Sequence, residues 1–149
     1  MARLEVGAPS VAVGESLSFE VIDRLCLFVE MNCVLEGVFR VSGDQLEAQK
    51  IAEACEGGVC NFPLEQCVDL HSVSSALKLY LRSHQQSLLA SSAREEVLRV
   101  EEEWSVVTVV QLIFSLPTSH RHILRRLLDM LGFLKEHEEV TKMNASNLG

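Results

Sequence analysis

Prolines stand at only three places in this chain, Pro9, Pro63 and Pro117. A proline inside a helix removes a hydrogen bond and clashes with the preceding turn, so helices can run in the long stretches between them. Apolar residues in those stretches recur at helical spacing. The clearest case is "SHRHILRRLLDMLGFLKEH". There Ile123, Leu124, Leu127, Leu128, Leu131 and Leu134 predict an amphipathic helix over 118–136. "SFEVIDRLCLFVEM" predicts another over 18–31. Ser18 suits its N-cap, Glu20 its first turn, and Phe19, Ile22, Leu25 and Val29 its apolar face. "DQLEAQKIAEAC" predicts a third, opened by a capping-box-like Asp44 and Glu47 and stopped by Gly57 and Gly58. After a loop over 59–69, "DLHSVSSALKLYLRSH" predicts a fourth. Asp69 caps it, and Leu70, Val73, Leu77 and Tyr80 or Leu81 set its period.

One stretch reads two ways. In "SSAREEVLRVEEEWSVVTVVQLIFSL", Ser92 and Glu95 frame a capping box, and Val97, Leu98, Val100 and Trp104 fit a helix. "SVVTVVQLIF" is rich in β-branched residues and suits a buried strand equally well. With helices on both sides and no partner strand in view, a helix ending at Pro117 is expected. A further helix begins near Asn144. The expected organisation is an irregular lead-in over 1–16, with Gly7, Pro9 and Gly14, and one all-α domain over 17–149. Eight aromatic residues are too few to fill its core, so Leu, Val and Ile must do so.

The net charge of −8 opposes broad contact with nucleic acid or an anionic membrane surface, leaving only a local patch of Arg121, Arg125, Arg126 and Lys135. No apolar run reaches the length of a membrane span, and the N-terminus lacks a secretory apolar core. A cytoplasmic chain with its five cysteines reduced is expected. Cys55, Cys60, Cys67 and His71 lie close in sequence, but their spacing matches no compact metal pairing, and buried thiols are the expectation. Nothing supports a metal or general-base role for His120, His122 or His137. There is no Ser-His-Asp or Cys-His arrangement and no glycine-rich phosphate loop, so neither a cofactor nor self-contained catalysis is expected.

"EGVFRVSG", residues 36–43, raises the functional question. Arg40 interrupts a short apolar run between Gly37 and Gly43. Its guanidinium is always charged, and burying it unpaired is costly. It either pairs locally, for instance with Glu36, or serves outside the chain. Lys78 and Arg82, four residues apart on one helix face, read by themselves as an ordinary solvated pair.

Four segments carry a resemblance that decides between these readings. "EGVFRVSG" resembles E-G-I-F-R-x-S-G, the finger-loop motif of Rho GTPase-activating (RhoGAP) domains. "ALKLYLR" is similar to that family's L-L-K-x-[FY]-L-R, "SLPTSHRHILRRLLDML" to its L-P-x-x-N-x-x-x-L-x-x-L-L, and "TKMNASNLG" to its N-K-M-x-x-x-N-L-A. They occur in the family's order. The resemblance implies a helical bundle that binds a small GTPase of the Rho, Rac or Cdc42 kind, holds no nucleotide itself, and stimulates the partner's GTP hydrolysis. GTP and Mg would belong to the partner. It implies that Arg40 is an arginine finger, that Lys78 faces the GTPase, that Arg82 braces the finger loop through its backbone, and that Asn147 lies beside the finger. A helix-surface amide is the alternative for Asn147.

Departures from the pattern are also visible. "SHQQSLL", 83–89, stands where the family has E-L-P-x-P-L, Thr141 replaces an asparagine, Val38 replaces an isoleucine, and His120 falls where an asparagine is usual. The family continues past N-L-A through a V-F-G-P-N-L-like segment, which is not found here. The expectation is therefore a RhoGAP-like bundle lacking the family's last helices, with a catalytically weak or inactive GTPase-binding module as the alternative reading.

Overall fold

A computed structural model describes residues 17–32, 35–83, 88 and 105–148. Its elements are α1 (Phe19–Asn32), α2 (Gln45–Glu53), a 3-10 turn (Leu64–Gln66), α3 (His71–Arg82), α4 (Val106–Ser115), α5 (Thr118–Glu136), α6 (Glu138–Thr141) and α7 (Ala145–Leu148). Among the described residues there is no strand. The expected lead-in over 1–16, the Ser92–Glu95 box, Trp104 and most of "SHQQSLL" lie outside the described residues.

α1 packs against both α3 and α5, and α3 also packs on α2. The core between them takes Val21, Ile22, Leu25 and Val29 from α1, Ile51 from α2, Val73, Leu77 and Tyr80 from α3, and Ile123, Met130 and Leu134 from α5. Aliphatic side chains dominate, as the low aromatic content requires. The apolar stripe of α5 differs in detail from expectation. Met130 is buried and Leu128 is half exposed, because positions 123, 127, 130 and 134 fall on one line while 128 falls off it. Phe19, expected on the inner face of α1, is likewise largely exposed.

The caps show how the ends are set. Ser18 caps α1, its hydroxyl accepting from Val21 N–H at 3.4 Å. The same hydroxyl donates to the Gly58 carbonyl at 2.7 Å, and Ser18 N–H donates to the Tyr80 hydroxyl at 2.8 Å. Asp69, expected as the cap of α3, accepts from His71 N–H at 3.0 Å, but the N-cap position falls on Leu70, which makes no side-chain cap. The capping box at α2 forms by half. Asp44 accepts from Glu47 N–H at 2.9 Å, but the Glu47 carboxylate does not turn back. It accepts instead from the Val68 and Asp69 N–H groups at 2.7 and 3.0 Å and from the Cys67 thiol at 3.2 Å. The Asp44 N–H is satisfied by the Ser72 hydroxyl at 3.0 Å.

The β-branched run is helical over Val106–Ser115. Ser105 caps it, accepting from Thr108 N–H at 3.2 Å, and Leu116 is extended just before Pro117. None of the residues in α4 is buried. The run is apolar without being part of the core.

No described helix is long and apolar enough to cross a membrane. Two of the four basic residues on α5 face carboxylates. Arg126 forms hydrogen-bonded ion pairs with Asp23 at 2.7 Å and with both oxygens of Glu30 at 2.8 and 2.9 Å, clasping α5 to α1. Arg125 faces Asp129 at 4.0 Å.

Candidate functional site

The loop between α1 and α2 is built from "EGVFRVSG". Gly37 has φ +77, and its carbonyl accepts from the N–H groups of both Arg40 and Val41 at 2.8 Å. These two hydrogen bonds fold the chain into a tight turn that side-chain-bearing residues resist at that φ. A Cβ on Gly37 would lie 2.7 Å from Cγ2 of Val41 and 3.3 Å from a guanidinium nitrogen of Arg40. Arg40 therefore lies folded across Gly37. Val38 is fully buried and Phe39 packs partly on the core, so the loop is moored from inside.

Phe39 has φ +69. For a residue with a bulky side chain this left-handed conformation costs about 1–2 kcal/mol, so surrounding contacts must enforce it. Lys78 is one of them. Its ammonium donates to the Phe39 carbonyl and lies 5.9 Å from the centre of the Phe39 ring. The residue that fixes the direction of Arg40 is thus held by both its backbone and its ring.

Gly43 closes the loop against α3. A Cβ there would lie 2.2 Å from the Ser72 nitrogen and 2.5 Å from the His71 carbonyl carbon. Those are backbone atoms of α3, so only glycine allows this approach. The Gly43 N–H donates to the Ser75 hydroxyl at 3.2 Å. Serines 72 and 75, one turn apart on α3, thus receive two successive loop amides.

The other end of the loop is held from a distance. Gly37 N–H donates to the Thr141 carbonyl at 2.6 Å. Thr141 is itself buried, and its hydroxyl accepts from Met143 N–H at 3.2 Å. Met143 is in the core, and Lys142 between them is left-handed at φ +58. In the sequence Thr141 stands out only as a departure from the family pattern. The available signal was its place in "TKMN", but a backbone carbonyl carries no side-chain signature.

Lys78 reaches the loop that carries Arg40 at the Phe39 carbonyl, and Arg82 lines the same cleft as Lys78. Arg40 is exposed, and among the described residues it forms no ion pair, with Glu36 or otherwise. Lys78 and Arg82 line a shallow cleft with Ser42, Gly43, Gln45 and Ser75. The expected division of labour between the two cations is not what the contacts show. Lys78 makes the hydrogen bond to the loop backbone, and no hydrogen bond links the exposed Arg82 to the loop among the described residues. Asn147 is engaged locally. Its side chain accepts from Asn144 N–H at 3.1 Å while that of Asn144 accepts from Asn147 N–H at 2.9 Å, a reciprocal cap at the start of α7.

Elsewhere, the Cys67 thiol donates to Glu47 at 3.2 Å and to the Asp69 carbonyl at 3.0 Å. No group of three or more His, Cys, Asp or Glu able to hold a metal assembles among the described residues. His120 shares a hydrogen bond with the Leu88 carbonyl at 2.9 Å, and His137 with the Phe133 carbonyl at 2.8 Å. Burial tends to raise the Glu47 carboxyl pKa. The Val68 and Asp69 N–H groups, with Cys67 and Ser72, outweigh it and hold Glu47 at about 2.

Comparison with known proteins places this geometry. The RhoGAP domain profile matches residues 20–149. The chain is 35% identical over 136 residues to human Rho GTPase-activating protein 4, covering 86% of this chain and 14% of that protein. It is 30% identical over 132 residues to Rho GTPase-activating protein gacN of Dictyostelium discoideum, covering 85% and 22%. It thus spans less than a quarter of either relative. Among solved structures, its fold is similar to the BH domain of GRAF, the GTPase regulator associated with focal adhesion kinase. The TM-score is 0.74 at 22% identity, covering 91% of this chain and 76% of that one. Human Rho GTPase activating protein 15 gives 0.74 at 18%, covering 94% and 80%. The helical bundle, the moored arginine loop and the match over nearly the whole described chain agree: this chain belongs to the RhoGAP domain family.

Proposed function

We propose that this chain is a GTPase-activating domain for a Rho-family small GTPase and that Arg40 acts in trans as its arginine finger. The observation that carries the proposal is an exposed arginine on a loop whose backbone is fixed at three points. Gly37 is tied to Thr141, Phe39 to Lys78, and Gly43 to α3. A charge meant only for solubility needs no such mooring.

As the γ-phosphoryl leaves GTP, negative charge grows on oxygens shared between the phosphates. A planar guanidinium placed there stabilises the transition state more than the ground state. Arginine suits the task because its charge is permanent and its donors lie in one plane. The nucleotide and its Mg ion are the partner's, and this chain supplies position and charge. Position matters because a displacement of about 1 Å costs roughly 10²-fold. Lys78 is assigned the support of the loop, and Arg82, lining the same cleft, is assigned contact with the GTPase.

The test is single-turnover GTP hydrolysis by Rho, Rac and Cdc42 with wild type and Arg40→Ala. Stimulation by wild type and its loss in the variant are expected. Equal stimulation by both removes Arg40 from the mechanism. Binding of the GTP-loaded partner without acceleration replaces activation with the binding-module reading.

A further inference from the structure

The chain from Phe39 to Gly43 is fastened to α3 at both ends. The Phe39 carbonyl accepts from the Lys78 ammonium, and the Gly43 N–H donates to the Ser75 hydroxyl at 3.2 Å. Ser75 and Lys78 are neighbours on one helix face, about 4.5 Å apart along the axis. Ser42 lies between these two anchors in the chain. It lines the cleft with Gln45, Ser75, Lys78 and Arg82. Lys78 and Arg82 are the charged residues among those lining it, so the field that Ser42 meets there is cationic. The cavity of about 170 Å³ has room for a tetrahedral phosphoryl group.

Ser42 differs from the serines around it. The Ser72 hydroxyl accepts from Asp44 N–H at 3.0 Å and donates to the Asp44 carbonyl at 3.3 Å, and the Ser75 hydroxyl receives Gly43. Ser42 is exposed, and its hydroxyl makes no hydrogen bond among the described residues. The carboxylates that follow it in the chain are engaged elsewhere. Asp44 accepts from Glu47 N–H, and Glu47 accepts from Val68 and Asp69 N–H.

We propose that Ser42 is a phosphorylation site that switches the arginine loop off, which rests on the assignment of Arg40 as the finger. A protein kinase supplies the group from ATP. The Ser42 oxygen attacks the γ-phosphorus. An O–P bond forms, the bond from that phosphorus to the β,γ-bridging oxygen breaks, ADP leaves, and the serine proton passes to the kinase's base. Arg40, two residues before Ser42, suits a kinase that selects basic residues there. The product carries about −1.5 to −2 charge and three acceptor oxygens. A dianionic acceptor outcompetes a neutral carbonyl for the same ammonium. Lys78 is therefore drawn from the Phe39 carbonyl to the phosphate, and Arg82 joins it. Phe39 then loses a restraint on its φ of +69, and Arg40 loses its direction. The added negative charge also opposes the phosphates of an approaching nucleotide.

The test uses the full chain with phosphoserine placed at position 42 during translation, and the same chain after phosphatase treatment. Stimulation of single-turnover GTP hydrolysis by Rho, Rac and Cdc42 is expected to be about 10²-fold weaker in the phosphorylated chain and restored by the phosphatase. Phosphorus NMR gives a readout without a GTPase. The phosphate, whose second pKa is about 6 when free, is expected to titrate at lower pH in the folded chain than in the same chain in urea. Lys78→Met and Arg82→Met are each expected to narrow that gap. With ATP and a kinase that selects arginine two residues before serine, phosphopeptide mapping of the unmodified chain is expected to find Ser42. Equal stimulation before and after phosphatase, a phosphate that titrates alike folded and unfolded, or labelling that leaves Ser42 untouched would overturn the proposal. If the unmodified chain stimulates no GTPase while the titration gap persists, the assignment of Arg40 fails and the phosphate site stands.

Discussion

The arginine loop and the α1–α5 seam each centre on an arginine, and they use it in opposite ways. In the seam, Arg126 is enclosed by Asp23 and Glu30, and its side chain is 15% exposed. In the loop, Arg40 is exposed while its backbone neighbours are the groups held. The seam commits its guanidinium to the fold. The loop commits the main chain and leaves the guanidinium available. The same residue type is thus enclosed in one place and left open in the other according to which part of it has partners.

Four measurements sharpen or break this contrast. Arg40→Ala is expected to lower the stimulated hydrolysis rate on the order of 10³-fold or more with no change in Tm. A fall in Tm would show that Arg40 is a structural residue after all. Lys78→Met keeps most of the stem's bulk but frees the Phe39 carbonyl. A loss on the order of 10²-fold in rate is expected, through displacement of Arg40, with a small change in Tm. Arg126→Met reverses the pattern. It leaves two carboxylates facing each other at a partly covered seam, and about 2 kcal/mol of stability is expected to be lost in denaturant titration. Activity per folded molecule should hold.

The smallest effect concerns Glu47, held at about 2 against an ordinary 4.5. As pH falls, the unfolded chain takes up this proton before the folded one does. Its stabilisation is therefore full above about 4.5 and is lost as pH falls toward about 2. Thermal melts across that window should fall less steeply for Glu47→Gln than for wild type. An unchanged slope would assign the acid sensitivity to other carboxylates.

The sequence made the helices legible wherever apolar residues keep one line, as in α1, α3 and α5. It also drew attention to Arg40, because a charge between Phe39 and Val41 interrupts an apolar run. What it hid were partners set by the fold. Nothing in the spacing of Glu47 announces that its carboxylate will bridge to Val68 and Asp69 instead of Asp44. The order of Lys78 and Arg82 does not say which reaches the loop, because that depends on where α3 meets Phe39. The β-branched run from Val106 was ambiguous because composition reports apolarity and not what covers it. Its short-range cap at Ser105 helps settle it as helix without burying any of its residues.

The bond from Gly37 to the Thr141 carbonyl has a consequence for the order of events on the ribosome. Gly37 is made early and Thr141 near the end of the described chain, and domains form as their chain emerges. Helices α1 to α3 can meet while synthesis continues, but the root of the arginine loop waits for its last partner. A nascent chain carries Arg40 long before it can hold that residue in place. The tether thereby makes the loop's final geometry depend on the late segment: Gly37 gains this partner only once Thr141 has been delivered and docked.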